Sequence, residues 1–443
     1  MEAVAGIHAQ QMGRARTFLV ALLAAASLCG AAPAASLADG EIDTSFSGDG
    51  RVVIDLEGGE DKALAATVDA KGRLVLAGYS VKSPEGIRLA LVRLFPDGSL
   101  DQGFGGDGIV LDNHGGGFVP RGAAIDAAGR IVVAGKNARK ENIVLRVLDD
   151  GRIDRSFGRG GVIHIQVDTF DLRALAIDKF GRIVLAGSNQ VNLNDIDFGA
   201  IRLRDDGSPD PSFDGDGLIT VDTAGGDRAD RASDVFLDAF DRIVLAGAAW
   251  MPEPGESRKV GRFSLLRLHD DGQVDSSLRD SGSALIRMNE RGSFATAAAL
   301  VGTSSTILAG RAAPLTGFAK VWGSGALPKG FGDGGRAKLA TGGAQWAMDL
   351  AIDGAGRPVS AIGAPKLSAD GAGALIAARL RPHGRPDRSF SNDSRALARF
   401  GRWRATATSL ALDANGGIVV AGVGRRSDAN HSDFVAARFI GGQ

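Results

Sequence analysis

A twelve-residue phrase returns seven times along this chain, and no other feature limits its fold as strongly. Intact copies stand at 39–50 (DGEIDTSFSGDG), 97–108 (DGSLDQGFGGDG), 150–161 (DGRIDRSFGRGG) and 206–217 (DGSPDPSFDGDG). Degraded copies follow at 271–282, 324–335 and 383–394, and successive starts lie 58, 53, 56, 65, 53 and 59 residues apart. A second phrase sits mid-repeat: an apolar run, an Asp, a turn, then Gly-Arg-Ile-Val-Leu-Ala-Gly, as at 177–187 and 237–247. A third run ends in Arg and an apolar residue, as at 89–94 and 198–203, and a fourth follows the twelve-residue phrase, as at 52–56 and 218–222. Each repeat therefore holds four short runs rich in Val, Ile and Leu, bounded by turn residues, which reads as four strands.

Four strands per repeat at this period predict an all-β, seven-bladed β-propeller with four antiparallel strands per blade. A radial array also suits the length. Single cores stop growing near 250–300 residues, whereas each blade packs only on its neighbours. The Ala-rich runs at 63–68, 123–125, 174–177 and 407–412 suit the crowded innermost strand, A. The Gly-Arg-Ile-Val run is then B, the Arg-bearing run C, and the run after the phrase D. In this phase the chain opens on a D strand, 52–56, and ends on A, B and C at 407–412, 418–421 and 434–439. The ring is expected to close by the N-terminal strand completing the last blade, which removes exposed sheet edges.

The phrase itself reads as the C-to-D turn, with Asp-Gly favouring a tight turn. Its aromatic slot holds Phe46, Phe104, Phe157, Phe213, Leu278, Phe331 and Phe390, expected to pack between blades. Its Asp slot holds Asp43, Asp101, Asp154, Asp210, Asp275, Pro328 and Asp387; strand C carries Arg93, Arg146, Arg202, Arg267, Lys320, Arg379 and Arg438. The one repeat with Lys is followed by the one turn without that Asp. This predicts a structural Arg–carboxylate contact, because guanidinium offers carboxylate a rigid fork.

Residues 1–38 read as a secretory signal peptide that is removed. Arg14 and Arg16 precede an apolar run over 18–28, and small residues follow to Ala38. The run is too short to span a bilayer. Met1 and Met12 are both candidate starts. The one cysteine, Cys29, lies in this leader with Leu28 before it, so lipoprotein anchoring is not expected. The rest, 39–443, reads as a single propeller domain without disulfide or thiolate metal site. A periplasmic or extracellular location follows. The net charge of −1 gives no field for nucleic acid or an anionic membrane.

No catalytic or metal motif stands out. The Asp-Gly turns lack the acceptor spacing of an EF-hand, and two G-x-G-x-x-G matches at 103–108 and 330–335 run into strands instead of helices. The five histidines beyond the leader, His114, His164, His269, His383 and His431, show no ligand spacing. No metal, cofactor or catalytic residue is assigned. The repeated turns define one face of the ring, and the irregular B-to-C and D-to-A loops the other. Loops carry function more often than scaffolds do. Tyr79 and Trp250 are expected in B-to-C loops, and Phe118, Trp346 and Trp403 in or beside D-to-A loops; these five are the candidate ligand-binding residues.

The phrase D-G-x-x-D-x-S-F-G-x-x-G, followed by D-x-x-G-R-I-V-L-A-G and x-x-x-R-L, resembles the delta-60 repeat. That is an uncharacterised β-propeller-like family common in exported bacterial proteins. The resemblance spans about 39–443, weakens in repeats five and six, and implies no activity that can be transferred. The first functional reading is a non-catalytic exported binding or scaffold propeller, a monomer, with an unknown extracytoplasmic protein or glycan as partner. The alternative is a hydrolase or lyase on polysaccharide or peptide, working at the loop-face mouth of the central channel. Titratable residues converging on the channel would favour the enzyme; a lining of Ala, Val and Gly alone would favour the binder.

Overall fold

The computed structural model describes residues 38–442, apart from 83, 85, 114–115, 194, 227–228, 253–258, 280, 342–345, 364–372 and 427–430. The expected leader and Cys29 lie outside the described residues, as does His114. The described residues form twenty-eight strands, from β1 (Arg51–Ile54) to β28 (Ser432–Phe439), and no helix. Among the described residues, no helix is long and apolar enough to cross a membrane.

One unit shows the rule. β2 (Glu60–Val68), β3 (Leu74–Lys82), β4 (Gly86–Leu94) and β5 (Ile109–Asp112) pair antiparallel in chain order, as A, B, C and D. The same order repeats in four-stranded sheets over 118–164, 170–221, 230–286, 294–339 and 346–399. The core lies between neighbouring sheets. Leu91 and Phe104 of one unit, for example, pack with Phe118, Val133 and Leu145 of the next. All seven aromatic-slot residues, six Phe and Leu278, are 0–1% exposed, and each such side chain contributes roughly 2–3 kcal/mol by burial.

The expected blade count is corrected. The molecule is an all-β propeller in which five four-stranded blades, not seven, stand as separate sheets. The remaining eight strands form one sheet, in the order β26 (Trp403–Leu412), β27 (Ile418–Arg426), β28, β2, β3, β4, β5, with β1 also on β28. β1 runs antiparallel to β28, from Arg51↔Ala437 to Ile54↔Phe434. The join to β2 is one parallel pairing, Glu60↔Ser432. Repeat arithmetic counts chain segments, and it cannot register a backbone bridge between the end of one segment and the start of another.

Every A strand carries a β-bulge at one register. The bulged residues are Leu64, Arg121, Arg173, Ser233, Thr296, Met348 and Thr408. The bulge explains the last Gly of the B-strand phrase. A Cβ on Gly187 would overlap the Asp171 carbonyl oxygen, and one on Gly247 would overlap that of Arg231. The bulge also hides the true start of the A strands, because an extra residue breaks the alternation that marks a strand. The strand expected at 123–125 begins at Phe118, and that at 407–412 begins at Trp403.

Candidate functional site

The repeated cation builds a ladder around the ring. Arg93, Arg146, Arg202 and Arg267 each donate Nε–H to the carboxylate eight residues on, at 2.7 Å. Arg379 bonds Asp387 at 2.8 Å, and Arg438 bonds Asp43 at 2.7 Å across the ring closure. Nη1 of each of these six arginines then donates to a backbone carbonyl of the following repeat, such as Gly323 from Arg267 at 2.6 Å. Five of these guanidiniums lie over the aromatic-slot ring, 4.4–5.1 Å from its centre. The slot thus packs between sheets and also carries the cation. Lys320 instead lies 5.1 Å over Trp322, and burial lowers its pKa. Burial opposes ionisation of Asp275, but bonds from Ser277 and the Arg267 charge prevail and hold it at about 2.

Bulge residues and their neighbours converge on the axis, around a cavity of about 230 Å³. Arg121, Arg173, Asp234 and Asp349 line it with Thr296, Thr408 and Ser409 among small residues. Titratable groups from several units therefore do meet there. The two carboxylates, however, bind the walls. Asp234 accepts the N–H groups of Val235 and, from the next A strand, Ala298, at 2.8 and 2.7 Å. Asp349 accepts from Leu350 N–H, Leu410 N–H and the Ser409 hydroxyl at 2.7–2.8 Å. Ser409 Oγ in turn accepts the Ala66 N–H at 3.0 Å. Burial, with the Asp349 charge, pushes Asp234 up to about 7, and burial raises Asp349.

The five candidate residues all fall on strands, not in loops, because the B strands and A strands run further toward the loop face than their apolar runs suggest. Tyr79 lies in β3 and Trp250 in β15 (Ile243–Pro252); both are half-buried. Phe118 is fully buried at the start of its A strand and presents no ligand surface. Trp346 and Trp403 open their A strands and are half-buried. The structure does not gather the five. Four of them have their own cation: Lys62 at 5.5 Å from Tyr79, Arg231 at 5.9 Å from Trp250, Arg311 at 5.6 Å from Trp346, and Arg426 at 5.9 Å from Trp403. Phe294 meets Trp346 edge-on at 5.9 Å, and His431 meets Trp403 likewise at 6.3 Å.

The more exposed aromatics lie on the opposite face, in or beside the repeated turns. Phe180 is 64% exposed, Phe240 63% and Trp322 46%. Arg182 and Arg242 flank the two phenylalanines at 5.0 Å, and Lys179 of one turn pairs with Asp241 of the next. Aligning the A-to-B turns exposes this signal in the sequence, since the slot of Phe180 and Phe240 holds Lys71, Ala128, Ala355 and Asn415 elsewhere.

A family model described as a β-propeller domain of unknown function (DUF5122) matches at 72–104 and 181–213, which supports a β-propeller repeat family. No curated protein sequence matches the chain. Among solved structures, a virginiamycin B lyase from Staphylococcus aureus is similar over 87% of this chain and 98% of its own, at 10% identity and TM-score 0.45. The β-propeller domain of the Trilobed protease from Pyrococcus furiosus covers 85% and 95%, at 8% identity and TM-score 0.46. The extracellular domain of a one-component-system protein from B. thetaiotaomicron covers 87% of this chain and 39% of its own, at 12% identity and TM-score 0.43.

Proposed function

We propose that this protein is an exported, non-catalytic propeller that binds an extracytoplasmic protein or glycan through its loop face. The resemblance to the delta-60 repeat and the leader-like residues 1–38 support export. The observation that carries the binding reading is the state of the channel carboxylates. Both oxygens of Asp234 and of Asp349 accept hydrogen bonds from their own or the adjoining A strand, so they hold the ring together. Half-buried Trp250, Trp346 and Trp403, each backed by guanidinium, offer flat apolar faces beside fixed positive charge. Such pairs suit sugar rings or acidic segments of a partner. Glycan-array and peptide-array binding, followed by titration of tryptophan fluorescence, tests this. Trp346→Ala and Trp403→Ala should each weaken binding about tenfold, as loss of a stacking contact does. Full affinity in both variants would overturn the loop-face assignment.

The convergence of Arg121, Arg173, Asp234 and Asp349 favours the second reading, a hydrolase or lyase at the channel mouth. Turnover of a polysaccharide or peptide that Asp234→Asn abolishes, with the fold retained by circular dichroism, would establish it in place of the first.

A further inference from the structure

Two seams between neighbouring units carry the same three carboxylates. One holds Asp433 of β28, Asp55 just after β1, and Asp61 of β2. The other holds Asp197 of β12 (Asp195–Leu203), Asp222 just after β13 (Leu218–Val221), and Asp230 of β14 (Asp230–Leu237). In each set one oxygen per residue lies within 4.8 Å of the others. The sets are structural equivalents. Asp433 and Asp197 each stand five residues before the ladder arginine, Arg438 or Arg202. Asp61 and Asp230 each stand three residues before the bulge, and Oδ2 of each accepts the N–H just after the D-strand aspartate: Leu56 at 2.7 Å, Thr223 at 2.9 Å. A parallel backbone pairing lies beside each set, Glu60↔Ser432 at one and Ile196↔Ala229 at the other.

Elsewhere the same C-strand position holds Arg88, Glu141, Arg262, Leu315 or Ala374, and the position three residues before the bulge holds Phe118, Phe170, Ser293, Gln345 or Ala405. The aspartates therefore come as complete sets at two seams, and no other seam has an aspartate at either of these positions. Drift of a degraded repeat would scatter them singly. Their burial is the second observation. Asp61 and Asp230 are 0% exposed, Asp433 2% and Asp197 5%. Oδ1 of all four accepts no hydrogen bond. A buried carboxylate oxygen with no partner disfavours the ionised group until a proton or a cation joins it.

We propose that each of these two seams binds a calcium ion through its three aspartates, tying one unit to the next. The donor set is oxygen alone, which suits a hard cation. Calcium–oxygen bonds of about 2.4 Å let ligands on opposite sides of the ion stand up to about 4.8 Å apart, whereas magnesium's bonds of about 2.1 Å demand a tighter octahedron. Burial first, and the neighbouring carboxylates second, push Asp197 up to about 7. Burial and the charge of Asp55 push Asp433 up to about 6, against the opposing charges of His431 and Arg426.

Calorimetric titration of the EDTA-stripped full chain with calcium chloride should give two sites per chain, and calcium should raise Tm by several degrees. Asp197→Asn and Asp433→Asn should each leave one site, and the double variant none. In EDTA the variants should melt at or above the unsubstituted chain, because each removes like-charge repulsion; this arm shows that they fold. Absence of saturable calcium binding at millimolar concentration, stoichiometry unchanged by both variants, or preference for magnesium would overturn the proposal.

Discussion

At the residue scale, the ladder arginine is the most exacting position. Arg202 and Asp210 are 1% and 3% exposed, and their bond is charge-assisted at 2.7 Å. Arg202→Ala would strand Asp210 in the interior, so unfolding free energy should drop by about 3–5 kcal/mol in denaturant titration. The broken rung can be rebuilt. Pro328 lacks both the carboxylate and the N–H that Asp101, for instance, donates to the Arg93 carbonyl at 2.9 Å. Lys320→Arg with Pro328→Asp should therefore stabilise more than the sum of the single changes, a coupling read from thermal melts. Ser394 shows a second local departure. It takes a φ of 71° where Gly108 and Gly217 stand at 92° and 93° in the matching turns. Ser394→Gly should raise stability by up to about 1 kcal/mol by relieving this strain.

The carboxylates also set the acid response. Asp275 sits at about 2, well below its ordinary range, so it binds fewer protons folded than unfolded. Its stabilisation is complete above pH 4 and lost as pH falls toward 2; Asp275→Asn should flatten that limb of a melt-versus-pH curve. Asp234 works in the opposite sense. Held at about 7, it binds more protons folded, so its contribution declines as pH rises from about 4 to 7. Asp234→Asn should remove that decline.

At the scale of the element, the A strand was the least legible part of the sequence. Its Ala content pointed to the axis, and the register at Ala174–Ile177 against Ile183–Ala186 agrees with a plain hairpin. Beyond Ala174 the bulge at Arg173 shifts the pairing by one residue. The periodicity lapses there, and Phe118, Trp346 and Trp403 read as loop residues although each opens a strand. The mark of the bulge was nevertheless present in six repeats, as the Gly closing the B-strand phrase; the sixth repeat has Ile362 at that register. Gly187→Ala would drive a methyl group into the Asp171 carbonyl and should cost about 2 kcal/mol or more, checked by thermal denaturation.

At the scale of the whole molecule, the chain is held closed by β1 on β28 and by Arg438 reaching Asp43. What the sequence alone determined is whatever one repeat states within itself: four strands, the Asp-Gly turn, the arginine with its partner eight residues on, and a D strand left over at the start for an unpaired C strand at the end. These rest on local sterics, strand alternation and charge pairing over short separations, and repetition multiplies the signal. Only the tertiary structure decided what happens between repeats. The bridge from Glu60 to Ser432 merges two units into one sheet. Asp55, Asp61 and Asp433 meet from opposite ends of the chain. Phe180 and Phe240 become the exposed rings while Phe118 disappears into a seam. Such outcomes depend on how facing surfaces fill a shared gap, and a residue's burial or its lack of a partner is a property of that gap, carried by no single stretch of chain.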